Sequence, residues 1–73
     1  MKAEIRQNGR VLLLSDDGVS MPMIFKNLCG KNFSGSAYRD YLEMAHSEAG
    51  VASGTIALYL DGILTETATI PEI

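Results

Sequence analysis

The sequence predicts an α+β fold in two layers. A four-stranded antiparallel sheet made of two β-hairpins carries one short and one longer helix on one face, in the order ββααββ. Three observations carry this reading. Asn8-Gly9 and Asp61-Gly62 each stand between runs of strand formers, and both pairs suit the two-residue hairpin turn whose central residues need positive φ. Between them, residues 34–50 space their apolar side chains three and four apart, the period of a helix.

The first hairpin is "KAEIRQNGRVLLLS". A tight turn at Asn8-Gly9 predicts Gln7 opposite Arg10, Ile5 opposite Leu12 and Ala3 opposite Leu14. Ala3, Ile5, Leu12 and Leu14 then share the core side, and Glu4, Arg6, Val11 and Leu13 point the other way. "SDDG", residues 15–18, follows as a corner. Its Asp16-Asp17 pair lacks the alternating oxygen ligands and distal Glu of a calcium loop, so it reads as a turn rather than a metal site.

The short helix lies in "SMPMIFKNLCGK". Ser20 is its expected cap and Pro22 suits its first turn. Ile24, Phe25, Leu28 and Cys29 form one stripe, and Gly30 stands where helices end. The following Gly30-Lys31 does not complete a phosphate-binding loop, because Phe25 occupies the position where that motif needs glycine. In the longer helix Ser36 is the expected cap. Ala37, Tyr38, Tyr41, Leu42, Ala45 and Ala49 make the apolar side, and Gly50 closes the end.

After the linker "VASG" comes "IALYLDGILTETATI". The turn at Asp61-Gly62 predicts Leu60 opposite Ile63, Leu58 opposite Thr65 and Ile56 opposite Thr67. Ile56, Leu58, Leu60 and Ile63 then face the core. Ala57, Tyr59, Leu64, Ala68 and Ile70 take the reverse side, interrupted by Glu66, and Pro71 ends the strand.

Seventy-three residues predict a single compact domain, 1–73. Cys29 is the only cysteine and His46 the only histidine, so neither an internal disulfide nor a Cys/His zinc site can be assembled within one chain. No cofactor and no metal are expected. Apolar runs such as Val11–Leu14 fall far short of the ~20 residues of a membrane helix. With one free thiol, the expected location is the cytoplasm.

Charge narrows the function further. Residues 1–31 hold Lys2, Arg6, Arg10, Lys26 and Lys31 against Glu4, Asp16 and Asp17. Residues 32–73 hold Arg39 against Asp40, Glu43, Glu48, Asp61, Glu66 and Glu72. No concentrated basic face is present, which argues against a nucleic-acid reader. Glu43 and His46, three apart, could share a helix face as a proton-transfer pair, but on the solvent side, so an enzyme is not expected.

The expected function is a small non-enzymatic module that binds another protein by steric occupation of its surface. An apolar strip of Val11, Leu13, Tyr59 and Leu64 would project from the back of the sheet, with charge around it. Tyr59 and Leu64 would anchor it. Glu66, Asp61 and Glu43 would steer it toward a partner with a basic surface. In size and acidity alone the chain resembles small phage and mobile-element proteins that block host complexes, such as anti-CRISPR proteins. The alternative is a homodimer packed through the same face.

Overall fold

Two tight corners organise the sheet. The structure, a computed structural model, describes residues 1–16 and 18–72. The expected turn at Asp16-Asp17 therefore falls partly outside the described residues, since it includes Asp17. Strand β1 spans Ala3–Gln7 and β2 Arg10–Ser15; helix α1 covers Ser20–Leu28 and α2 Ser36–Ala49; β3 is Gly54–Leu60 and β4 Ile63–Ile70. All neighbours pair antiparallel in the order β2-β1-β3-β4, so the four strands form one sheet with β2 and β4 at its edges. The predicted ββααββ order and fold class are those of the molecule.

Each turn has positive φ at both central residues: 52° and 77° at Asn8 and Gly9, 51° and 79° at Asp61 and Gly62. The closing pairs Gln7–Arg10 and Leu60–Ile63 are the expected ones. Beyond the next pair, both registers depart from expectation. Arg6 faces Val11, but Ile5 faces Leu13 rather than Leu12, and Ala3 faces Ser15 rather than Leu14. Likewise Tyr59 faces Leu64, but Leu58 faces Glu66 rather than Thr65, and Ile56 faces Ala68 rather than Thr67.

The cause is a β-bulge in each hairpin. Leu12 in β2 and Thr65 in β4 are extra residues without a partner of their own. One inserted residue turns every later side chain of that strand to the opposite face. Leu13 is thereby moved to the helix side, and Leu14 to the back. Glu66, Ala68 and Ile70 also turn to the helix side, where Ile70 is buried. In β2 the bulge lets the adjacent Leu12 and Leu13 both pack against the core.

Both helices lie over the face bearing Ala3, Ile5, Ile56 and Leu58. Met21, Phe25 and Leu28, at a spacing of four and three, bury one side of α1, whereas α2 contributes Leu42 and Ala45. Ser20 is the first residue of α1 and Ser36 the first of α2, each one place inside its expected cap. Gly30, at φ +81°, ends the α1 segment, and the Tyr38 ring lies 3.0 Å from where a Cβ would stand. The Tyr38 hydroxyl donates to the Leu28 carbonyl at 2.6 Å, which ties the start of α2 to the end of α1.

A side-chain amide positions β3. Gln7 is buried, its Nε2 donates to the Ala52 carbonyl at 2.7 Å, and its Oε1 accepts from the Ala52 N–H at 3.0 Å. The linker before β3 is thus held to the end of β1 by a backbone-like pair. At the other end, the Asp61 N–H donates to the Lys2 carbonyl at 2.7 Å while its Oδ1 accepts from the Lys2 N–H at 2.9 Å.

Candidate functional site

Strand pairing places two side-chain rows across the helix-free back of the sheet. One reads Leu14–Glu4–Tyr59–Leu64, and the next reads Val11–Arg6–Ala57–Thr67. Each row crosses all four strands, because directly opposed residues of an antiparallel ladder point to the same face. Leu14, Leu64 and Val11 are 62%, 53% and 49% exposed. The reverse of an antiparallel sheet is usually polar where it meets water. Here one flank carries Leu14 and Val11, and the other carries Leu64 beside Thr67.

The centre of the face is ionic. Glu4 is 5% exposed although no helix covers it. Its own neighbours shield it in a single layer. Arg6 Nε donates to one carboxylate oxygen at 3.0 Å, and Lys2 Nζ lies 3.4 Å from the other. The Arg6 guanidinium sits over the Tyr59 ring, 4.0 Å from its centroid, a cation–π contact. The hydrogen bond from Arg6 holds the Glu4 carboxyl below its ordinary pKa against the opposing effect of its shielding, and the Lys2 and Arg6 charges add to that. Reciprocally, Glu4 raises Arg6, with a lesser contribution from Tyr59.

The residues expected to form the site are divided between the two sides of the sheet. Val11, Tyr59 and Leu64 belong to the back rows. Leu13 does not: it faces the helices with Ile24, Leu28 and Tyr41. Glu66 is on the helix side as well, close enough for its charge to add to the burial that raises the Cys29 thiol pKa. Glu43 lies on α2, 3.7 Å from Arg39, with both side chains well exposed. Asp61 is tied to Lys2 at a corner. An apolar strip and an acidic half acting together on one partner surface is therefore corrected: the bulges and the helix layer separate them.

Three residues of the face were not among the expected anchors. Leu14 was hidden by the bulge, which cannot be read from periodicity alone. Glu4 and Arg6 were expected as a charged rim, but lie at the centre because β1 is an inner strand. Their spacing of two on one strand face was the available signal.

Beside Arg6 the back face carries a shallow depression of about 340 Å³, lined by Arg6, Asn8, Val11, Thr55, Ala57 and Tyr59 among others. Elsewhere, His46 Nδ1 is 2.9 Å from the Val51 carbonyl, so this ring serves the α2 terminus instead of pairing with Glu43. Among the described residues no group of three His, Cys, Asp or Glu side chains is placed to hold a metal ion. No helix among them is long and apolar enough to cross a membrane.

A family model described as "Domain of unknown function (DUF7688)" matches residues 2–71. No curated protein and no solved structure matches the chain.

Proposed function

The chain belongs to the DUF7688 domain family, and we propose that it is a non-enzymatic protein-binding module that docks through the helix-free face of its sheet. The carrying observation is the row Leu14–Glu4–Tyr59–Leu64, whose outer leucines are more than half exposed on a face that no element covers. Large exposed apolar side chains on an uncovered face mark a protein-binding surface, and aromatic and arginine side chains such as Tyr59 and Arg6 are enriched in such surfaces. The mode of action is steric: a sheet face of this shape occupies a partner's surface and excludes whatever else binds there. That mode is the one suggested by the chain's likeness in size and acidity to small phage inhibitors. The free thiol of Cys29 supports a cytoplasmic setting.

The acidic groups of α2 and β4 play no part in this docking, because they face the other way. Comparative affinity capture from the cells that make the protein tests the reading. The wild-type chain and a Glu43→Ala/Glu48→Ala variant should recover the same protein, whereas Leu14→Ser/Leu64→Ser should lose it. Loss with the α2 variant and retention with the leucine variant would overturn the assignment. Sedimentation of the pure protein provides the second arm. A stable dimer that the leucine variant dissociates would replace a foreign partner with a second copy.

A further inference from the structure

Resting on that docking reading, we infer that the partner segment received by this face is apolar and carries a carboxylate, and that Arg6 takes it. The guanidinium is fixed from two directions before any partner arrives. Nε donates to Glu4 at 3.0 Å, and the carbon at the centre of the group stands 4.0 Å over Tyr59. Beside that bond through Nε, the guanidinium has only a lesser side-chain hydrogen bond, to Tyr59, among the described residues. Of the four N–H groups on its two terminal nitrogens, most remain for another acceptor.

The surroundings select the ligand's chemistry. Arg6 lines the depression on the back face and is the one ionised side chain in that lining; the remainder is neutral, with Val11, Ala57 and Tyr59 supplying apolar surface. A planar fork with no counter-ion on its outer side fits a carboxylate in two-point contact. Because the fork is already held, little side-chain entropy is lost on binding.

Charge also decides between a foreign segment and a second copy. Back-to-back packing of two copies would bring Arg6 toward Arg6. The only carboxylate within the rows is Glu4, already shared by Arg6 and Lys2. Glu43, Glu48 and Glu66 lie on the helix side, out of reach. The rows of a second copy bring no free carboxylate to Arg6, whereas an acidic, apolar segment of another protein does.

The test is a titration of the full-length ¹⁵N-labelled protein with the peptide acetyl-Val-Glu-Val-amide, followed through backbone amides and the Arg6 Nε–H. Acetyl-Val-Gln-Val-amide is the control. Saturable shifts are expected at Arg6, Val11, Ala57 and Tyr59, and the glutamate peptide should bind about three- to fivefold more tightly, the gain of one partly exposed charged pair. In Glu4→Gln/Arg6→Gln, which keeps a neutral hydrogen-bonding pair, that ratio should fall to one. Should this variant fold poorly, Arg6→Lys keeps the charge without the fork and should lower the ratio. Equal binding of both peptides at this face overturns the carboxylate inference while leaving the docking face standing. Shifts confined to α2, or none with either peptide, also overturn it, and the capture comparison then judges the docking reading independently.

Discussion

Set side by side, the hairpin β1–β2 and the hairpin β3–β4 share turn chemistry, register and bulge, yet carry opposite residues at equivalent places. In both, the extra residue stands three positions after the turn glycine. The inner strands pair so that Ile5 meets its own equivalent, Leu58, which gives the sheet a local two-fold axis through that pair. Around the axis Arg6 corresponds to Tyr59 and Val11 to Leu64. At the bulges, however, Leu12 and Leu13 pack on the core, whereas Thr65 and Glu66 are exposed. Turn and bulge set the backbone, and side chains alone decide what each hairpin does. The first hairpin supplies core and cation; the second supplies the aromatic platform and an edge exposed over most of its length.

The strongest test of this equivalence is at its centre. Ile5 is fully buried and Leu58 nearly so. Ile5→Ala and Leu58→Ala should each cost about 2–5 kcal/mol, from lost burial and the cavity left behind. Urea denaturation followed by circular dichroism reads both. If one is cheaper by more than half, the two-fold describes the backbone only. The bulges should break the symmetry in the same assay: Leu13→Ala should cost more than about 1 kcal/mol, and Glu66→Ala should stay within about 0.5 kcal/mol of wild type.

Much of this pattern could be read from residues alone. Asn-Gly and Asp-Gly announce their turns because few other pairs accept two consecutive positive φ angles. The alternation of Ala3, Ile5 and Gln7 against Glu4 and Arg6 follows from the pleat. The bulges could not be read, because an inserted residue has no composition of its own; VLLL is apolar in either register. That single blind spot misplaced Leu13, Leu14, Glu66 and Ile70 together. The burial of Glu4 was equally hidden, since it depends on β1 pairing on both sides, a matter of strand order.

Gly9 and Gly62 have open space where a Cβ would stand, so substitution there meets only backbone strain. Gly9→Ala and Gly62→Ala should each cost roughly 1–2 kcal/mol, and by nearly equal amounts. The preceding residues should differ. Asp61 also accepts the Lys2 N–H at 2.9 Å. Asp61→Ala should therefore exceed Asn8→Ala by about 0.5–1.5 kcal/mol, the worth of that hydrogen bond. Equal costs would show that the corner does not tether the start of β1.

The smallest effect separates the two hairpins by charge. Glu4 titrates at the centre of the face, and its counterpart across the axis is Ala57. A carboxyl whose pKa is lowered by folding adds stability that is fully present above its unfolded value near 4.5 and is lost as pH falls through the lower folded value. Stability measured from pH 7 downward should thus decline below about pH 4.5 with a component that Glu4→Gln abolishes. If Glu4→Gln leaves the acid limb as it is in the wild type, the cluster of Glu4 with Arg6 and Lys2 is no tighter in solution than any surface pair, and Arg6 loses the fixed posture on which its reach toward a partner depends.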